Sequence, residues 1–168
     1  MLPRKLKDLL LFNEGGNYLG EVNAATLPKL TRKLEEWRGA GMDSPVKIDM
    51  GGEALDLEWT AGGPLRDVLA QYAEPRVDGL LLRFVGVYEA DDTGEKTAVE
   101  VIVRGRHEEI EAGEQKIGEG GEFKVKTSCA YYRLDWNGST VIEVDPLNMV
   151  LIVDGNDRMA ERRAILGV

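Results

Sequence analysis

The chain has 168 residues, enough for one domain with a real core, and its 43% hydrophobic and 30% charged residues are ordinary for a globular protein. A net charge of −9 argues against a tight grip on nucleic acid, which needs a basic face. The single Cys129 excludes an internal disulfide and a cysteine-rich metal site, and no run of about 18 apolar residues is present to span a membrane.

Residues 1–25 carry Pro3, the basic cluster Arg4, Lys5 and Lys7, and then Leu9-Leu10-Leu11-Phe12. That apolar run is too short for a signal-peptide core, so a soluble protein without a membrane anchor, made in the cytoplasm, is expected. Asn13-Glu14-Gly15-Gly16-Asn17 is a turn signal. An apolar patch near a terminus either folds back on its own core or docks on a neighbour, and the residues alone leave both open.

From Thr26 to Arg38, Leu27, Leu30, Leu34 and Trp37 are spaced three, four and three apart, which is helical spacing without strict alternation. Gly39-Ala40-Gly41-Met42-Asp43-Ser44-Pro45 is a flexible break. Beyond it, Ile48 and Met50 are apolar at even positions, whereas Leu55, Leu57 and Trp59 are apolar at odd ones. The change of parity falls at Gly51-Gly52, where a bulge or kink would absorb it. Asp56 and Glu58 share the opposite face of the second piece and make it acidic.

Gly62-Gly63-Pro64 opens the clearest helix, expected over 64–74, with proline at the first helical position and Pro75 as its stop. Leu65, Val68, Leu69 and Tyr72 form one apolar stripe. Burying such a stripe stabilises by roughly 1.5–3 kcal/mol per large side chain, so the helix reads as a lid on a sheet.

Strands dominate from Gly79. Leu80 to Ala90 leads through Asp91-Asp92-Thr93-Gly94 into Lys96 to Arg106, where Val99, Val101 and Val103 face one way and Glu100, Arg104 and Arg106 the other. Phe123, Val125, Thr127, Cys129 and Tyr131 line one face of the next strand. Asn137-Gly138 is a strong hairpin signal leading into Thr140 to Asp145. Met149 to Val153 is a last β-branched run, and Asp157 is placed to cap a short terminal helix through Arg163. Six to eight strands with one firm and one weak helix predict a mainly β fold: an antiparallel β-sandwich or rolled barrel with a flanking helix.

Few residues suggest chemistry. His107 stands beside Glu108 and Glu109 without a nucleophile in any catalytic frame, and is expected to be exposed at a strand end. Cys129, mid-strand on an apolar face, reads as a small inert core residue. Asp154, Asn156 and Asp157 lack the spacing of a calcium loop. Gly39-Ala40-Gly41 and Gly118 to Gly121 lack the strand and helix of a phosphate cradle. No catalytic residue, cofactor or metal is expected. Asp49, Glu53, Asp56 and Glu58 form the acidic group of interest, either a solvated face or the lining of a channel formed by several subunits.

Thr26-Leu27-Pro28-Lys29-Leu30, Gly41-Met42, Pro45-Val46, Ile48-Asp49-Met50-Gly51 and Glu53 resemble the major tail tube proteins of contractile-tailed bacteriophages and the related R-type pyocins. Leu11-Phe12-Asn13, Tyr18-Leu19-Gly20, Arg104-Gly105, Glu122-Phe123-Lys124, Tyr131-Tyr132, Val144-Asp145-Pro146-Leu147-Asn148 and Gly155-Asn156-Asp157-Arg158 extend the resemblance over nearly the whole chain. It implies one tail tube domain over 1–168, with an N-terminal arm (1–17), an inter-subunit loop (39–45) and a C-terminal arm (155–168). It also implies a long strand, not a helix, over 26–38. The implied assembly is a stack of hexameric rings forming a hollow tube inside a sheath, between baseplate and terminator. Such a protein is not an enzyme. It belongs in the virion tail, where DNA passes without tight binding. Leu11, Phe12, Arg32, Lys33, Arg38, Gly41, Met42 and Pro45 are then candidate inter-subunit contacts, and the four carboxylates are candidates to face the lumen. Alternatives are a pyocin tube, a ring like those of type VI secretion systems and, from another class, a monomeric acidic binding domain.

Overall fold

Alternation of the buried Val99, Val101 and Val103 with the outward Glu100, Ile102 and Arg104 makes β7 (Lys96–Glu111) the spine of the fold. The computed structural model describes residues 1–168 and places β7 antiparallel to β8 (Phe123–Trp136) at the centre of a nine-stranded sheet. On the far side of β7 follow β6 (Leu80–Glu89) and then β1 (Lys5–Phe12). The other edge of β8 carries two ladders end to end. β5 (Leu55–Ala61) pairs with its first half, and β9 (Ser139–Asp145) with its second. β2 (Val22–Thr26) adds to β5, whereas β10 (Val150–Val153) and the short β11 (Asn156–Asp157) add to β9.

The sheet therefore divides along β8. The division coincides with a bulge: Arg104 pairs with Tyr131, but the next residue, Gly105, pairs with Cys129 and leaves Ala130 unmatched. The bulge also reverses the parity of β8. Val125 and Thr127 face the core before it and Tyr132 faces the core after it, so the single apolar face expected from Phe123 to Tyr131 stops short of Tyr131. The β5–β2 arm curls back toward β1, where the Tyr18 amide donates to the Leu11 carbonyl at 2.9 Å, and the sheet nearly closes into a barrel.

Its interior is filled by Leu11, Leu57, Trp59, Leu82, Phe84, Val101, Val103, Phe123 and Val125. Tyr18 stacks on Trp59 with ring centroids 5.4 Å apart. α1 (Arg66–Ala70) is shorter than the helix expected over 64–74. Leu65 and Val68 enter the core, but Leu69 and Tyr72 point outward, because one and a half turns can present only part of a stripe to a barrel end. Eleven strands are present where six to eight were expected, since both terminal segments join the sheet. The proposed N-terminal arm is largely β1, and Leu11 is fully buried in its own core. The C-terminal segment forms β11 and α2 (Ala160–Leu166), with Arg163 paired to Asp157 and donating to the Met149 carbonyl at 2.7 Å. Asp157 accepts from the Met159 amide at 3.0 Å, just ahead of that helix.

Residues 26–38, helical by spacing, contain β3 (Arg32–Trp37), which pairs only with β4 (Val46–Gly52) in a separate two-stranded hairpin. The parity change falls where β4 leaves this hairpin to become β5, and Gly51 has φ +117° there. Asn137 and Gly138, at φ 48° and 82°, make the tight β8–β9 turn.

The bulge supplies a test. A Cβ on Gly105 would lie 1.8 Å from the Ser128 carbonyl oxygen, a backbone atom held by the ladder. Gly105→Ala is expected to destabilise the fold by about 3 kcal/mol, measured as a lowered urea midpoint.

Candidate functional site

The outward face of β2, β5, β8 and β7 is a ladder of charges. Cross-strand pairing sets Thr26, Glu58, Lys126 and Glu109 in one row and Ala24, Thr60, Lys124 and Glu111 in the next. Each alternates with a core residue on its strand, so burying Leu57, Trp59, Val125 and Thr127 forces these groups outward. Lys126 Nζ lies 3.1 Å from Glu108 and 4.0 Å from Asp56. The hydrogen bond and charge of Glu108, followed by the charge of Asp56, hold its ammonium above the usual lysine range. These pairs are solvated and individually weak. A shallow depression of about 370 Å³ crosses the face beside Glu58, Glu109, Glu111, Lys124 and Lys126. Glu53, Asp56 and Glu58 line a second one of about 310 Å³ with Thr26 and Lys29. No cluster of His, Cys, Asp and Glu is arranged to hold a metal.

Both flanks of this face end in free strand edges. β2 pairs only with β5, and residues 106–111 of β7 extend beyond the ladder with β6, which ends at Gly105. Carbonyls and amides on those outer edges have no strand partner.

The β3–β4 hairpin continues past the end of the β2–β5 ladder. Register places Lys33, Glu35 and Trp37 with Val46, Ile48 and Met50 on one face. Trp37, Val46, Ile48 and Met50 are all about half exposed, which is unusual for such an apolar row. The other face holds Leu34, Glu36 and Lys47 together with a bidentate pair, in which Arg32 donates to both Asp49 oxygens at 2.9 Å. That hydrogen bond, with a second from the Gly51 amide, holds the Asp49 carboxyl below its usual range. At the tip, Arg38 donates to the Met42 carbonyl at 3.0 Å and the Met42 thioether lies against the Gly39 amide.

The structure thus combines a nearly closed barrel with a projecting amphipathic hairpin. The profile of the family described as phage tail tube protein FII matches residues 3–167. The chain belongs to that family. It is 45% identical over 170 residues to the tail tube protein of Escherichia phage P2, an alignment covering 99% of each chain. It is 35% identical to the major tail tube protein of Serratia phage KSP20, over 96% of this chain and 94% of that one. Among solved structures, the sheath–tube complex of the extracellular contractile injection system PVC matches with a TM-score of 0.59, at 9% identity, over 79% of this chain and 91% of that one. The tube-terminating cap of the anti-feeding prophage matches with a TM-score of 0.60, at 9% identity, over 80% and 92%. At such identities the two structures speak for the fold alone.

In this tail tube protein the four singled-out carboxylates separate. Asp56 and Glu58 share the charged sheet face and Glu53 stands at its rim, but Asp49 is on the hairpin, neutralised by Arg32. Arg32 is thus engaged with Asp49 within its own chain, about half exposed. Lys33 and Arg38 make no ion pair within the chain, and Gly41, Met42 and Pro45 lie at the exposed hairpin tip. Phe12 is half-buried under the Arg83 guanidinium, 4.8 Å from its ring centroid. Glu108, Glu109, Glu111, Lys124 and Lys126 were missed, although alternation on β8 already placed both lysines opposite the core.

His107 overturns the expectation of an exposed residue. It points into the barrel, 8% exposed, because β7 runs five residues beyond Arg106. Its Nε2 lies 2.8 Å from Gln71 Oε1 and its Nδ1 2.9 Å from Thr127 Oγ1. The Gln71 oxygen can only accept, which fixes the proton on Nε2 and leaves Nδ1 to accept from the threonine. Burial pushes the imidazole down to about 4 from 6.5, against a smaller opposing pull from the Asp67 charge. Cys129 is half-buried against the core, and burial raises its thiol to about 12. Since unfolded His107 takes up a proton before the folded residue does, its contribution is complete above pH 6.5 and lost as pH falls to about 4. Chemical denaturation across that window should show a loss of about 3 kcal/mol, and His107→Gln should flatten this part of the profile.

Proposed function

We propose that this tail tube protein forms stacked hexameric rings that build the inner tube of a contractile phage tail, the conduit for DNA ejection through the host envelope. The observation that carries this reading is the charged sheet face with a free strand edge on each flank. Pairing the β2 edge of one subunit with the 106–111 edge of the next is a heterologous contact, and such contacts close into rings. The charged face of every subunit then turns to the same side. Lining a lumen, it presents Asp56, Glu58, Glu109 and Glu111 toward the duplex, with Lys124 and Lys126 tied to carboxylates. Phosphates are repelled on balance and no set of free lysines replaces their counterions, so DNA slides without being held. Glu53 sits at the rim of that lining.

The role is structural, without catalysis or cofactor. The partners are further copies of the chain, the sheath outside, and the baseplate and terminator at the two ends. The protein is made in the host cytoplasm and resides in the virion tail. Lys33, Arg38 and the hairpin tip supply contacts between subunits.

Negative-stain electron microscopy with light scattering, repeated with baseplates as nuclei, should show rings or hollow tubes. A monomer that persists with baseplates present overturns the proposal in favour of a binding domain. Charge reversal by Asp56→Lys with Glu58→Lys should leave tubes of normal diameter but slow DNA ejection roughly tenfold or more at low salt, with recovery as salt is raised.

A further inference from the structure

Two exposed apolar features project from opposite ends of the same strands. At one end of the β5–β8 ladder, Leu55 pairs with Cys129 and the chain continues into the β3–β4 hairpin. At the other, Ala61 pairs with Phe123, next to the loop 112–122 that joins β7 to β8. Seven residues of extended strand separate the two ends, about 20 Å at the usual rise. Within one chain, the loop and the hairpin point away from each other.

The loop, Ala112-Gly-Glu-Gln-Lys-Ile-Gly-Glu-Gly-Gly-Glu122, is polar apart from Ala112 and Ile117, and Ile117 is fully exposed at 102%. Nothing in its own chain shelters it. Beside it, Lys116 lies 3.3 Å from Glu119, and Glu114 makes no ion pair. The hairpin offers the counterpart: a flat apolar row of Trp37, Val46, Ile48 and Met50, bordered on the same face by Lys33 and Glu35, neither paired within the chain. One isolated apolar knob flanked by both charges thus faces an apolar strip flanked by both charges.

We infer that the 112–122 loop of one copy seats Ile117 on the apolar face of the β3–β4 hairpin of the next copy along the strand direction. Lys116 meets Glu35 and Glu114 meets Lys33. The inference rests on the tube reading above and specifies its ring-to-ring contact. Because knob and strip lie at opposite ends of the subunit, the contact is head-to-tail and sets the polarity of the stack. Burying Ile117 and its strip removes water from apolar surface that the isolated subunit leaves wet, and the paired charges fix the register.

Two variants test it. Ile117→Asp changes a fully exposed side chain, so the fold should survive, verified by an unchanged circular dichroism spectrum. Rings should still form, but the mean number of rings per stack in micrographs should fall at least fivefold. Ile117→Cys with Ile48→Cys, in a Cys129→Ala background, should yield a reducible ladder of linked chains, with mass spectrometry identifying a 117–48 disulfide between copies. Tubes of normal length from Ile117→Asp, or tubes of the double-cysteine protein that form without this disulfide, overturn the inference and leave the tube reading standing. A native chain that gives neither rings nor tubes even with baseplates as nuclei overturns both.

Discussion

The contact on which the architecture turns is the close approach of Gly105 to the backbone of β8. No side chain fits there, since the Ser128 carbonyl occupies the space of a Cβ. The approach accompanies a bulge that lets one long strand serve two sheets. On one side of it β8 carries β5 and β2, which wrap into the barrel and bury Trp59 against Tyr18. On the other it carries β9 and β10, to which the terminal helix is fastened through Arg163. A straight β8 would keep one parity throughout and would send Tyr132 to the solvent.

Barrel and hairpin divide the stabilising interactions unequally. The barrel buries aromatic and branched side chains of β1, β5, β6, β7 and β8 and satisfies His107 from two elements at once. The hairpin has one ladder, one bidentate ion pair and a tip held by Met42, while its apolar row remains wet. An isolated two-stranded ribbon is marginal in water, so the hairpin is the less stable part of the chain. On the proposed tube reading, keeping apolar surface outside the core is a functional arrangement.

Strand periodicity made most of the barrel legible from sequence. Val99, Val101 and Val103, the Asn137–Gly138 turn and the switch at Gly51–Gly52 each appear where alternation and turn chemistry put them. The failures have physical causes. The helix after Pro64 kept only half of its stripe, Leu65 and Val68, and not its length, because Leu69 and Tyr72 had no wall to pack on. The helical spacing of Leu27, Leu30, Leu34 and Trp37 is accidental: Leu27 packs on the barrel core ahead of β3, whereas Leu34 and Trp37 belong to an exposed ribbon where alternation carries no core constraint. His107 was misread because no local signal marks the end of β7, and its burial depends on Gln71 and Thr127, which are distant in sequence. The acidic face was half visible. Asp56 and Glu58 followed from alternation, whereas Glu109 and Glu111 required the register of β7 against β8 across its second bulge.

The same geometry constrains how the chain reaches its native state. The hairpin closes between neighbouring stretches of chain, Trp37 against Val46, and can form as soon as they emerge from the ribosome. The barrel cannot. Leu55 waits for Cys129 and Leu11 for Phe84, so the sheet closes only after most of the chain has been made. During that interval an apolar ribbon with open backbone edges coexists with an unfinished core, the combination that favours premature association. Yield in the host should therefore depend on how quickly late strands arrive relative to encounters between nascent chains, which makes folding kinetics as much as final stability a selective pressure on β8.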